Sequence, residues 1–210
     1  MLENTQNKDA VFIYGDIRGF SAWSIRNQPD IHDFIEKYYD IVLQNFPSAS
    51  ESLRRKVVKF LGDGFFSVIE YDKKNPQALP RALYNAMFRC QHIYSDFTDF
   101  KKATSLHGID SLGIGFGISY GNALRFNLPG GGIDYVGEKV NFASRLCGAA
   151  QAGTIYGDAD VRKQIGALLD DETEIYEEGL VPGVSLKGYS NTTEPEKIYS
   201  YKLRKTRKNG

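Results

Sequence analysis

Cysteine is scarce in this chain. Only Cys90 and Cys147 occur in 210 residues. They are far apart and build no metal-ligand or redox motif, which excludes a thiolate metal site. Both fall in apolar helical contexts, where packing is the expected role. Histidine is scarce too: His32, His92 and His107 show no ligand spacing. Charge of one sign is missing, because 26 basic and 26 acidic residues cancel. No global field then steers the protein to nucleic acid or an anionic membrane. Long apolar runs are absent as well, so nothing is expected to span a bilayer. The N-terminal Met1-Leu2-Glu3-Asn4-Thr5-Gln6-Asn7 is polar and has no signal-peptide core. These absences point to a cytoplasmic protein with no nucleic-acid or membrane partner.

What is present fits one globular domain. Apolar residues make up 41% and charged residues 25%, and the length suffices for a sizeable core. No repeat, linker or second domain is apparent. Residues 1–10 are expected to be a flexible N-terminus and 204–210 a basic tail. The basic residues near the C-terminus are Lys202, Arg204, Lys205, Arg207 and Lys208, and a solvated tail explains them.

The order of elements is legible from periodicity. Val11-Phe12-Ile13-Tyr14 is a short apolar run that ends at Gly15-Asp16, as a buried strand would. Ile31, Phe34, Ile35, Tyr38 and Val42 recur at helical spacing, and Pro47 closes that helix. Two β-rich runs, Lys56 to Leu61 and Phe65 to Ile69, flank Asp63-Gly64, which is a hairpin signal. A helix follows Pro80, with Leu83, Ala86, Met87, Cys90 and Tyr94 on one stripe. Leu112 to Tyr120 is a strand in which Gly113, Gly115, Gly117 and Gly121 strip one face of side chains. Such a face invites another backbone or a ligand. Helices are expected over Glu138 to Ala149 and Asp158 to Leu169, and strands at Val184-Ser185-Leu186 and Ile198-Tyr199-Ser200-Tyr201. Helices interleave with strands, yet a tight hairpin sits in the middle. The expectation is an α+β fold with a mixed, mainly antiparallel sheet flanked by helices.

Taken one at a time, the polar residues of interest have bland explanations. Asp16 could cap a helix, Asp63 could serve a type I′ turn, and Asn141 with Arg145 could be solvated surface. Asn141 and Arg145 are four apart, so they share a helix face. Gly130-Gly131-Gly132 is no P-loop, since no Gly-Lys-Ser/Thr follows.

Together the segments Tyr14-Gly15-Asp16-Ile17-Arg18-Gly19-Phe20, Lys59-Phe60-Leu61-Gly62-Asp63 and Asp134 through Asn141 to Arg145 resemble the catalytic domain of class III nucleotidyl cyclases. The resemblance runs from about Val11 to Tyr201. It implies a ferredoxin-like core over residues 11–203. It also implies two divalent cations, Mn²⁺ or Mg²⁺, on Asp16, Asp63 and the Ile17 carbonyl. Asn141 would orient the ribose and Arg145 stabilise charge on the α-phosphate, a task suited to a guanidinium. Lys187, in Leu186-Lys187-Gly188, would reach the terminal phosphates, and Phe20 and Leu61 would lie beside the substrate. Arg18, at a position where the family varies, is given no role.

Lys59 and Asp134 fall on the base-reading positions. A lysine donates and an aspartate accepts. That pattern fits adenine or cytosine, uracil only with shifted contacts, and not guanine. Phe60, Phe65, Phe66, Tyr135 and Phe142 crowd the same segments. Ala123-Leu124-Arg125-Phe126-Asn127-Leu128-Pro129-Gly130 replaces the family's usual glycine-rich return. Both departures favour a pyrimidine cyclase, making cyclic CMP or cyclic UMP, over an adenylate cyclase. Such enzymes resemble the compact bacterial cyclases of anti-phage signalling, whose product triggers an effector. The family also implies a homodimer with shared active sites. A non-catalytic nucleotide-binding module ranks lower, because both aspartates and the arginine are kept. A diguanylate-cyclase-like enzyme ranks lower still, because its signature is absent.

Overall fold

A computed structural model describes residues 3–46, 55–129, 131–165, 175–182, 186 and 197–204. Among them the strands form a single eight-stranded sheet. They are β1 (Glu3–Arg18), β2 (Arg55–Phe60), β3 (Gly64–Glu70), β4 (Gly113–Asn127), β5 (Ile133–Val136), β6 (Thr154–Asp158), β7 (Ile175–Leu180) and β8 (Ile198–Leu203). The order across the sheet is β2-β3-β1-β4-β6-β8-β7, with β5 paired to β4 off that path. Only β4 and β6 run parallel; the other pairs are antiparallel. The α+β expectation therefore holds. The helices are α1 (Phe20–Arg26), α2 (Ile31–Asn45), α3 (Ala78–Ala103), α4 (Glu138–Ala149) and α5 (Ala159–Ile165).

Strand β1 sits between β3 and β4 and is covered on both faces. Residues Ala10, Val11, Phe12 and Ile13 are fully buried, which is why they form a continuous apolar run instead of an alternation. Successive side chains still part company across the sheet. Val11, Ile13 and Ile17 join a large cluster with Trp23 of α1, Phe34 and Tyr38 of α2, Leu83, Cys90 and Phe97 of α3, and Val161 of α5. Ala10 and Phe12 pack on the opposite face with Phe66, Val68, Tyr135, and Val140 and Ala143 of α4. Among the described residues, α4 is the helix that covers this second face. Tyr14, Asp16 and Arg18 share it by the same two-residue period.

Gly117 and Gly121 of the β4 glycine row face α4, while Gly113 and Gly115 face Ala152, Gln151 and Arg18. A Cβ on Gly117 would lie 2.2 Å from the Cys147 nitrogen and 2.3 Å from the Ala143 carbonyl oxygen. The close approach expected for this face is thus made by a helix backbone.

Three expectations change. Residues 3–10 are not a flexible lead but the first half of β1, paired with β4 from Glu3↔Asn127 to Ala10↔Gly121. Residues 5–9 carry polar side chains because the ladder, and not burial, holds them. The hairpin bend also falls earlier than Asp63-Gly64. Gly62 takes the positive φ of 74°, and Gly64 already belongs to β3. The aromatic crowding largely disperses. Phe65 packs in the α2–α3 cluster, Phe60 stacks on Tyr39 at 3.7 Å, and Phe142 packs with Leu146 and Tyr156, leaving Phe66 and Tyr135. The helix expected over Asp158 to Leu169 is α5 as far as Ile165, and residues 166–169 lie outside the described residues. Pro47, Val184, Ser185 and residues 205–210 lie outside the described residues. No helix among the described residues is long and apolar enough to cross a membrane.

Candidate functional site

Two carboxylates converge at the end of β1. Asp16 pairs with Gly64 across the β1–β3 ladder, so Asp63 is the next residue along the hairpin. The Ile17 N–H donates to the Asp63 carbonyl oxygen at 3.1 Å and ties the two segments together. The bend is braced from α2, where the Tyr39 hydroxyl donates to the Gly62 carbonyl at 2.9 Å. Burial raises the Asp16 carboxyl above the ordinary aspartate range; Arg18 opposes that rise and the Asp63 charge adds to it. Two like charges near a desolvated strand end favour a cation.

The space beside Asp16 is kept open by an absent side chain. A Cβ on Gly64 would lie 3.1 Å from Asp16 Oδ1 and 3.0 Å from the Gly15 carbonyl oxygen. Two carboxylates and nearby backbone carbonyls form an all-oxygen donor set, which fits Mg²⁺ or Mn²⁺. Among the described residues no group of three or more His, Cys, Asp or Glu could hold a metal ion. Cations here would need ligands from a bound anion as well.

Lys59 and Asp134, the pair expected to read the base, also come together. Lys59 Nζ lies 3.0 and 2.8 Å from Asp134 Oδ1 and Oδ2. Asp134 Oδ1 further accepts from the Tyr135 N–H at 2.9 Å. Lys59 Nζ stands 5.7 Å from the centroid of Phe66, whose ring stacks on Tyr14 at 4.6 Å. Burial first, then the Asp134 charge, pushes the Tyr14 hydroxyl up to about 12, so it stays neutral. A bulge in β2 between Val57 and Lys59 sets the lysine's position.

The β5 strand that carries Asp134 is anchored from behind. The Tyr135 hydroxyl donates to Glu70 Oε1 at 2.6 Å, and Arg125 Nε lies 3.6 Å from the same oxygen. Sequence reasoning missed these supports, since Glu70 and Tyr135 are 65 residues apart.

Asn141 and Arg145 occupy the exposed face of α4. Among the described residues neither side chain makes a hydrogen bond or ion pair. The structure does not join them to Asp16 and Asp63 by any direct contact. Leu61 is 48% exposed beside the bend. Phe20 differs: its ring packs on Trp23 and Phe34, so its side chain is engaged in the core. Lys187 lies outside the described residues.

Arg18, left without a role above, is the residue in closest contact with Asp16. Its Nη1 donates to Asp16 Oδ2 at 2.5 Å. Its Nε donates to the Ala150 carbonyl at 3.0 Å, and its Nη2 to the Cys147 carbonyl. A cation at the end of α4 also complements the helix dipole.

This arrangement can be set beside solved structures. No protein-family model matches the chain, and no curated protein matches it at a significant level. Solved structures do match. The adenylyl cyclase CyaB from P. aeruginosa aligns at a TM-score of 0.67 and 20% identity, over 99% of this chain and 100% of that one. The guanylyl cyclase Cya2 aligns at 0.70 and 17% identity, over 100% and 98%. The catalytic core of a rhodopsin-guanylyl cyclase with converted specificity, in complex with ATPalphaS, aligns at 0.68 and 19%, over 96% and 100%. The fold is that of cyclase catalytic domains. At such identities the likeness is one of fold.

Proposed function

We propose that this protein is a class III nucleotidyl cyclase, a phosphorus–oxygen lyase that converts a ribonucleoside triphosphate to a 3′,5′-cyclic nucleotide and pyrophosphate. The observation that carries this reading is the closeness of Asp63 to Asp16 at the end of β1, where Gly64 leaves room beside the Asp16 carboxylate. A purely structural hairpin gains nothing from two neighbouring carboxylates on a partly buried strand end.

Each residue then has a task. Asp16, Asp63 and the Ile17 carbonyl would hold two divalent cations, which lower the pKa of the 3′-hydroxyl and neutralise the triphosphate. Lys59 donates to the base and Asp134 accepts from it. Asn141 orients the ribose, and Arg145 supplies fixed donors to the charge that grows on the α-phosphate. Lys187 engages the terminal phosphates, and Leu61 with the Phe20 backbone lies along the substrate. The exposed placement of Asn141 and Arg145, without a partner among the described residues, supports a homodimer in which they complete the partner's site. The enzyme would work in the cytoplasm, without membrane or nucleic acid.

Lys59 and Asp134 suit cytosine or adenine. We take a pyrimidine first, because the Phe66 ring, stacked on Tyr14, stands 5.7 Å from the Lys59 ammonium and narrows the space beside the pair. The product would be cyclic CMP or cyclic UMP, read by an effector in anti-phage signalling; cyclic AMP is the second reading. The test is incubation with each of the four ribonucleoside triphosphates and Mn²⁺, with mass identification of the product. A cyclic pyrimidine nucleotide is expected. Preference for ATP overturns the base assignment, and no cyclic product from any of the four overturns the cyclase reading.

A further inference from the structure

The Asp16 carboxylate is divided between two neighbours. Oδ2 accepts from Arg18 Nη1 at 2.5 Å, while Oδ1 faces the gap beside Gly64. The guanidinium is fixed on its other side by the carbonyls of Cys147 and Ala150, about 130 residues away along the chain. Its seat is built for it. Gly115 lies opposite Asp16 in the β1–β4 register, and a Cβ there would come within 3.1 Å of Arg18 Nε and Nη2. Arg18 is half-buried, with 26% of its side chain exposed. It is therefore held in place and does not sample solvent as a free surface arginine would.

We propose that Arg18 is a positioning residue that turns Asp16 toward the hairpin bend and neutralises it, so that divalent cations bind firmly only together with the triphosphate. This rests on the metal reading above. The physical argument is a balance of charge and ligands. Asp16, Asp63 and Arg18 sum to a single negative charge. With Oδ2 taken, Asp16 offers one oxygen to a cation. A bare divalent ion would find few ligands and a guanidinium close by, and like charges at that range repel strongly in a partly desolvated site. A triphosphate reverses the balance by adding oxygens and negative charge at once. The three-point anchor also fixes the side chain of Asp16 relative to α4, the helix that carries Asn141 and Arg145.

The decisive measurement is Mn²⁺ binding to the full-length protein, read from the loss of the free-ion EPR signal. It is made without nucleotide and with a 3′-deoxyribonucleoside triphosphate, which cannot cyclise. Arg18→Gln and Arg18→Met remove the charge; Arg18→Lys keeps it. Without nucleotide, the two neutral variants are expected to bind Mn²⁺ roughly tenfold more tightly than the wild type, with the lysine variant close to wild type. With the nucleotide analogue that gap should close. Neutral variants that bind no more tightly than wild type, or a lysine variant that behaves as they do, overturn the assignment. A general packing defect would move all three variants alike. Asp16→Asn and Asp63→Asn separate the two levels of argument. If they lose Mn²⁺ while the neutral Arg18 variants stay unchanged, only the role of Arg18 falls. If they bind as the wild type does, the metal reading falls and Arg18 goes with it.

Discussion

Lys59 and Asp134 hold each other: the ammonium sits within 3.0 Å of both carboxylate oxygens. They come from β2 and β5, on opposite sides of β1 in the sheet. In the free protein each group is satisfied by the other, so a base read by this pair would have to exchange the ion pair for its own donor and acceptor. That exchange penalises a base that mates with only one partner, because the other is left desolvated and unpaired. Asp134→Asn is expected to weaken discrimination among the four triphosphates more than it lowers turnover of the best one. Competition assays with mixed triphosphates check this. A variant that keeps the wild-type ranking would show that the pair does not read the base.

Cation and nucleotide together should stabilise the fold by mass action. At a hundredfold excess over Kd the gain is roughly 2.7 kcal/mol, or about 5–10 °C in Tm for a chain of this size. Asp16→Asn and Asp63→Asn should each abolish the shift, as should a chelator. Differential scanning fluorimetry with Mn²⁺ and a non-cyclising analogue is the measurement.

Arg145→Ala is expected to lose on the order of 10²–10³ in kcat with the fold intact, since the side chain is exposed. Mixing Asp16→Ala with Arg145→Ala protein should restore part of the activity, because one composite site becomes whole. No recovery despite demonstrated subunit exchange would argue against shared sites.

Gly117→Ala tests the seating of α4. The added methyl would meet the Cys147 nitrogen at 2.2 Å and the Ala143 oxygen at 2.3 Å, both backbone atoms. Helix and sheet must separate, at about 2–3 kcal/mol or more. Gly148→Ala, with open space around its Cβ position, should be tolerated. Urea melts of the two variants give the comparison.

His92 offers a pH test away from the site. Burial lowers its pKa below the ordinary histidine value, with Asp96 opposing and Arg89 reinforcing the shift. The unfolded chain therefore takes up the proton first. Stability is full above the unfolded value near 6.5 and falls as pH drops toward the folded value. His92→Gln should flatten that part of the profile in denaturant melts between pH 7 and pH 5.

The sequence carries local signals well and distant ones poorly. The apolar run at Val11 to Tyr14, the stripe of α3 and the bare face of β4 all follow from periodicity, and each is where the residues place it. Asp16 and Asp63 were visible as a motif, and the ladder brings them together. Arg18 was not, because its partners Cys147 and Ala150 lie far along the chain and nothing local marks a guanidinium seat. The first half of β1 was hidden for another reason. Residues such as Thr5, Gln6 and Asn7 stay exposed, so their pairing leaves no apolar alternation to detect.

That polar half-strand has a practical bearing. Gln6 lies opposite Arg125, whose other neighbour across β4 is Tyr135, the residue after Asp134. Trimming the first eight residues to tidy an expression clone would strip one flank from the arm of β4 on which β5 hangs. A shortened protein of that kind should fold yet misread its substrate, and an affinity tag is better appended at the other end.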